Sequence, residues 1–257
     1  STGSYPAAEL DVRSADSIAA FDAMARLPQV DPDRLGVWAI SQAGHFIAPV
    51  MSARPNADFL ILISPPAEPP FRHFQTIRRY QLKKAGLAGA ELHDAEALWT
   101  KIMRYFGSAD GYEEVRAVLA SAQGKPWHPI ARKVEYWADL PATPADVKTP
   151  DQLRAEWTAK PQEYDWLRAP AHHRDYSADY ASIKQPVLLV FGDADTLIDP
   201  GEAAGIFARA WAGRRDTTIM TFSGAGHGIQ RRGDAENPMR EYLDVATIWA
   251  NRHFTAQ

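Results

Sequence analysis

Hydrophobic and polar positions follow two different patterns along this chain. Up to about residue 66, and again from about residue 185, short continuous apolar runs alternate with amphipathic stretches. Apolar runs of this length, bounded by Gly, Pro and Asp, predict strands that are buried on both faces of a sheet. Between residues 67 and 184 the helical period dominates, and no convincing strand pattern occurs. The pattern therefore predicts an α/β core that is interrupted by a helical insertion.

The predicted elements of the core are short. Strands are predicted over residues 35–40, 59–64, 185–191 and 217–222. Helices are predicted over residues 14–27, 43–51, 201–211 and 238–254. Because Pro49 falls inside the second of these helices, we expect that helix to kink or to end early.

A serine follows the first predicted strand directly. Residues 37–45 read V-W-A-I-S-Q-A-G-H, which places Ala39 and Ala43 two positions on either side of Ser41. Small residues at these positions allow a sharp strand–serine–helix turn, which exposes the hydroxyl and directs the first helical amides at the same point. An apolar strand that ends at a helix-capping serine is also common. The motif alone therefore leaves a nucleophilic and a structural interpretation open.

An acidic turn and a histidine follow two later strands. Residues 192–195 read G-D-A-D after the third strand, and His227 lies among glycines in the run 223–228 after the fourth. Ligand sites in parallel sheets lie at the carboxyl ends of the strands, where these side chains are expected to meet. Ser41, an aspartate and His227 thus occur in the order Ser, Asp, His that one class of serine hydrolases uses for its triad. Three acids compete for the middle position, namely Asp193, Asp195 and Asp199, of which Asp199 precedes a proline as helix caps often do.

These motifs together resemble the α/β-hydrolase superfamily, and most closely its serine esterase and acyl-peptidase-like members with a helical cap. In that subgroup S-T-G near a helix start is followed by I-D-P-x-R-I-G-x-x-G-x-S-Q-G-G. Residues 1–3 (S-T-G), 30–36 (V-D-P-D-R-L-G) and 41–44 (S-Q-A-G) correspond. The later turns G-x-x-D and G-x-G-H correspond to residues 192–195 and 224–227. The resemblance implies an α/β-hydrolase fold, with a mostly parallel core of residues 1–66 and 185–257 and a cap of residues 67–184.

The resemblance also assigns roles at the site. It implies Ser41 as nucleophile, His227 as base and Asp195, by the G-x-x-D spacing, as the acid that orients the histidine. The backbone N–H of Gln42 is implied as one oxyanion donor. His45, one helical turn past Ser41, is expected to pack in the core or to contact substrate. In the family S-T-G follows the fourth strand, so the N-terminal strands and the loop with the second donor are expected to be absent from these 257 residues.

Composition limits the remaining function classes. A net charge of −4 without a long basic cluster argues against a nucleic-acid surface. No apolar run approaches the ~18–20 residues that cross a membrane. The chain has no cysteine, which excludes thiol nucleophiles, cysteine metal sites and disulfides but leaves the compartment, cytoplasmic or secreted, open. His172 and His173 are adjacent and lack the spacing of a metal pair, so we expect no metal and no cofactor.

The sequence therefore predicts a serine hydrolase that cleaves small-molecule carboxylic esters or related acyl bonds. Five of the eight tryptophans lie between residues 67 and 184, where ordinary packing or an apolar acyl or leaving-group pocket would explain them. An acyl-peptidase stays open as an alternative activity. Two further alternatives are a non-catalytic binding module and a hydrolase completed by a second copy or by another chain that supplies the missing strands.

Overall fold

The computed structural model describes residues 10–135, 140–214, 216–231, 234 and 237–254. They form two compact units, one from the described residues of Ser1–Pro69 and Asp175–Gln257, and the other from those of Pro70–Arg174. The S-T-G motif at residues 1–3 and Trp137 lie outside the described residues. None of the described helices is both long enough and apolar enough to cross a bilayer.

The elements follow each other in an α/β order. The strands are β1 Val37–Ile40, β2 Leu60–Ile63, β3 Val187–Gly192 and β4 Thr217–Phe222. The helices are α1 Leu10–Ala25, α2 Ile47–Ala53, α3 Pro70–Lys84, α4 Gly89–Ser108, α5 Tyr112–Ala122, α6 His128–Ala131, α7 Pro150–Ala159, α8 Pro161–Arg168, α9 Ser177–Tyr180, α10 Pro200–Ala210 and α11 Arg240–His253. Three 3₁₀ helices cover Ser41–His45, Pro144–Asp146 and Pro170–His173.

The first unit is built on a parallel sheet in the order β1-β2-β3-β4. Ile40 of β1 lies opposite Ile63 of β2, which in turn lies opposite Val190 of β3. All four strands therefore end at the same edge of the sheet, and the residues that follow them are brought together there. The predicted parallel α/β arrangement is confirmed.

Both faces of the sheet are covered, which explains the continuous apolar runs of β2 and β3. One set of side chains packs with α1, α2, α9 and α10, and it includes Leu60, Leu62, Val187, Leu189 and Phe191. The alternate set packs with α11, and it includes Ile61, Ile63, Leu188 and Val190. Each fully buried aliphatic side chain stabilises the fold by about 1.5–3 kcal/mol relative to exposure.

The outer side of β1 is apolar and open among the described residues. Trp38 and Ile40 are 61% and 47% exposed, although β1 reads like an interior strand. The N–H of Val37 donates to the carbonyl oxygen of Phe59 at 2.9 Å, so the backbone groups of Trp38 and Ile40 point away from β2. Such an edge can accept another strand. The predicted pairing with a second copy or a complementing chain stays a prediction.

The segment after Ser41 differs from the predicted helix 43–51. A 3₁₀ helix covers Ser41–His45, and α2 begins only at Ile47. Pro49 therefore falls in the first turn of α2, where its missing N–H costs no helical hydrogen bond. The break thus lies before the proline, and α2 continues to Ala53.

The described residues of the second unit form helices joined by loops, and they include no strand. Its core contains buried side chains from α3 to α8, among them Leu82, Trp99, Ile102, Tyr105, Leu119, Trp127 and Leu153. Trp157 and Trp166 pack against this core while partly exposed. Ordinary packing therefore accounts for the buried tryptophans, and the role of this unit as a cap stays a prediction.

Candidate active site

Ser41 has an unusual backbone at the end of β1. Its φ angle is +52°, in the left-handed region that side chains other than glycine rarely adopt. Such a conformation costs on the order of 1–3 kcal/mol and persists only where the surrounding structure fixes it. The turn also packs closely at Gly44, where a Cβ would lie 2.6 Å from the carbonyl oxygen of Pro66. Glycine at position 44 therefore allows a close approach to Pro66 that a larger residue would prevent.

His227 connects Ser41 to Asp195. The Nε2 atom of His227 lies 2.7 Å from the Ser41 Oγ, and its Nδ1 lies 2.9 Å from an Asp195 carboxylate oxygen. Since the carboxylate can only accept, Nδ1 carries the proton and Nε2 is free to accept one from the serine hydroxyl. The structure thus brings the three predicted residues together, and the tautomer inferred from these contacts leaves Nε2 as the acceptor that a general base requires.

The Asp195 carboxylate is almost fully buried, at 1% exposure. Its second oxygen accepts hydrogen bonds from the backbone N–H groups of Leu197 at 2.7 Å and Ile198 at 3.1 Å. Together with the contact to His227, these bonds offset the cost of burying a charged group. They also fix which carboxylate oxygen faces the imidazole.

The two rival acids have other contacts. Asp199 accepts from the backbone N–H groups of Gly201 and Glu202 at the start of α10, so its predicted role as a helix cap is confirmed. Asp193 accepts from the Ser223 hydroxyl at 3.0 Å and from the Gly224 N–H at 2.6 Å. Asp193 thereby ties the acidic turn to the histidine turn.

The backbones of these two turns also approach closely. The N–H of Ala194 donates to the carbonyl oxygen of Ala225 at 2.9 Å. A Cβ on Gly192 would lie only 2.2 Å from that same oxygen. Glycine at position 192 therefore allows the turn that carries Asp195 to pack against the turn that carries His227.

Comparisons with known proteins agree with this architecture. The model of the dienelactone hydrolase family matches residues 170–255. Proline iminopeptidase from Mycobacterium smegmatis superposes with a TM-score of 0.50 at 17% identity, covering 97% of this chain and 75% of its own. DcsB, solved with a substrate analogue, gives a TM-score of 0.51 at 13% identity over 97% of this chain and 74% of its own. The search of curated proteins gave no significant match.

This chain has the α/β-hydrolase fold. The family match over residues 170–255 includes both the acidic turn and the histidine turn, and it supports a hydrolytic enzyme. At identities of 13–17%, the similarity to the solved structures shows a shared fold and nothing about activity.

Gln42 lies at the start of the 3₁₀ helix, where a backbone N–H can point at a ligand. Gln42 is exposed, and its side chain accepts a hydrogen bond from Arg13 of α1. His45 is buried, at 4% exposure, and so offers little surface to a substrate. The roles predicted for Gln42 and His45 stay predictions.

Sequence reasoning missed two residues that contact the turn carrying Ser41. The Tyr180 hydroxyl donates to the carbonyl oxygen of Gly44 at 3.0 Å. The Ser14 hydroxyl lies 3.1 Å from the carbonyl oxygen of Phe46. Burial raises the pKa of Tyr180, so its hydroxyl remains a donor well above neutral pH. These contacts span 136 and 32 residues, and such separations leave no spacing pattern that a sequence could reveal.

Proposed function

We propose that this chain is a serine hydrolase that cleaves carboxylic esters through an acyl-enzyme on Ser41. The observation that carries the proposal is the hydrogen-bonded chain from Ser41 through His227 to Asp195, at 2.7 and 2.9 Å. A serine hydroxyl is a weak nucleophile until a base accepts its proton, and this geometry supplies the base. The partner acid is buried and hydrogen-bonded, as an orienting carboxylate requires.

The reaction would proceed in two stages. The Ser41 oxygen attacks the ester carbonyl carbon while its proton passes to Nε2 of His227, and Asp195 stabilises the resulting imidazolium. The tetrahedral oxyanion accepts a hydrogen bond from the Gln42 N–H. Its collapse breaks the bond to the alcohol oxygen, which takes the proton from Nε2, and leaves the acyl group on Ser41. A water, deprotonated by the same nitrogen, then releases the acid.

An ester is favoured over a peptide as the substrate. The matching family is described as dienelactone hydrolase, and a lactone is a cyclic ester. No charged pocket dedicated to a peptide terminus can be read from the sequence of the predicted cap. The choice of substrate thus rests on chemistry shared with that family and on the sequence of the insertion.

A fluorophosphonate probe tests the proposal, because it phosphonylates activated serines. Ser64 provides a matched control, since it follows β2 as Ser41 follows β1 and also has a positive φ. Its hydroxyl, however, is buried and has no hydrogen-bond partner within the described part of the chain. Intact mass should show one adduct on the wild type and on Ser64→Ala, and none on Ser41→Ala. A folded wild type that forms no adduct would contradict the proposed serine hydrolase and favour the alternative of a non-catalytic binding module.

A further inference from the structure

The turn that carries Ser41 depends on support from elsewhere in the first unit. Ser41 holds a φ of +52°, and the 3₁₀ helix that it opens is only five residues long. Hydrogen bonds within a 3₁₀ helix have poorer geometry than those of an α-helix. A strained serine on a short helix therefore keeps its position only if neighbouring groups fix the turn.

Tyr180 is such a group. Its hydroxyl donates to the Gly44 carbonyl oxygen at 3.0 Å, and the side chain is fully buried at 0% exposure. The ring packs against Phe207 with centroids 4.8 Å apart, and the Trp211 indole N–H donates to the Tyr180 carbonyl oxygen at 2.7 Å. The ring and backbone of Tyr180 are thus held by α10 and the residue after it, independently of the turn.

Two prolines also lie close to Gly44. The position that a Cβ would take lies 2.6 Å from the Pro66 carbonyl oxygen and 3.1 Å from the Pro65 Cβ. Gly44 thus has little free space beside the two prolines, and its carbonyl oxygen is bound by the Tyr180 hydroxyl. Movement of this peptide would be passed directly to Gln42 and Ser41, two and three residues earlier in the same short helix.

We propose that Tyr180 is a positioning residue, which fixes the Gln42 amide and the Ser41 hydroxyl through its hydrogen bond to Gly44. The inference rests on the proposed function of Ser41 and names a residue that supports it from α9. Positioning of this kind acts on the chemical step, because displacements of a fraction of an ångström change the approach of the nucleophile. Removal of the hydroxyl is therefore expected to lower kcat rather than to raise KM.

The test compares Tyr180→Phe with Tyr105→Phe. Tyr105 is also buried, and its hydroxyl also donates to a backbone carbonyl, that of Lys148, but it lies in the second unit. Both variants lose one hydrogen bond from a buried tyrosine to a backbone carbonyl, buried for Tyr180 and partly buried for Tyr105, and should lose similar thermal stability. For each, kcat and KM on p-nitrophenyl acetate, the rate of phosphonylation by the fluorophosphonate, and Tm would be measured.

We expect Tyr180→Phe to reduce kcat and the phosphonylation rate by about tenfold, with KM within about twofold of wild type. Tyr105→Phe should leave all three kinetic values within about twofold of wild type. Equal kinetics for the two variants would overturn the positioning role, and so would a Tyr180→Phe chain that fails to fold, because the hydroxyl would then serve stability. A wild type that does not react with the probe would overturn the proposed function, and this inference with it.

Discussion

Replacing Asp195 by Asn tests how the buried carboxylate controls the proton on His227. The asparagine has nearly the same shape, and its oxygen can still accept from the N–H groups of Leu197 and Ile198, at 2.7 and 3.1 Å from the carboxylate oxygen in wild type. The amide NH₂ then faces Nδ1 of the imidazole. Because an NH₂ group can only donate, Nδ1 must accept and the proton moves to Nε2.

The consequence for the serine can be estimated from this change of tautomer. A protonated Nε2 cannot take the proton of Ser41, which lies 2.7 Å away. Loss of the correct tautomer in a triad of this geometry lowers kcat by roughly 10⁴. That factor corresponds to about 5.5 kcal/mol of transition-state stabilisation at about 1.36 kcal/mol per tenfold change.

The assay is kcat/KM on p-nitrophenyl acetate, together with urea unfolding to verify the fold. Asp199→Asn is the matched control, because asparagine also caps a helix and Asp199 bonds to the start of α10 rather than to His227. We expect the control to remain within about twofold of wild type. If a folded Asp195→Asn chain kept a tenth or more of wild-type activity, the assignment of the acid would be wrong.

Two further predictions concern stability. Gly192→Ala places a Cβ 2.2 Å from the Ala225 carbonyl oxygen, and we expect it to lower the free energy of unfolding in urea by about 1–3 kcal/mol. The control Gly205→Ala, inside α10, should raise that free energy by about 0.5–1 kcal/mol. Equal effects of the two substitutions would refute the close approach at Gly192. Burial, and secondarily the charge of Arg132, lowers the pKa of His128, so the unfolded chain binds this proton more readily. The free energy of unfolding of the wild type should therefore decrease as pH falls below about 6.5, and that of the His128→Leu variant should decrease less. Identical pH profiles of the unfolding free energy for the two proteins would contradict this prediction.

The features that were predictable from the sequence are those with a local cause. The apolar runs of β2 and β3 predict strands because both sheet faces bury them, and Asp199 predicts a cap because Pro200 follows it. The placement of Ser41, Asp195 and His227 at strand ends follows from the parallel order of the sheet.

What could not be predicted depends on contacts between distant segments. In the structure a 3₁₀ helix covers Ser41–His45, and within it Gly44 lies against Pro66 and accepts a hydrogen bond from the Tyr180 hydroxyl. Neither partner is marked by spacing or residue type in the sequence. Propensity alone predicts one continuous helix there, so tertiary packing decided the outcome.

The most direct measurement of the central claim is to trap the acyl-enzyme. The chain would be mixed with p-nitrophenyl acetate, quenched in acid within the first turnover, digested, and analysed by mass spectrometry. We expect an acetyl group on the peptide that contains Ser41, localised to that serine by fragmentation and absent from Ser41→Ala. Release of p-nitrophenol at the wild-type rate by Ser41→Ala, with no acetyl group on Ser41 in wild type, would contradict the central claim.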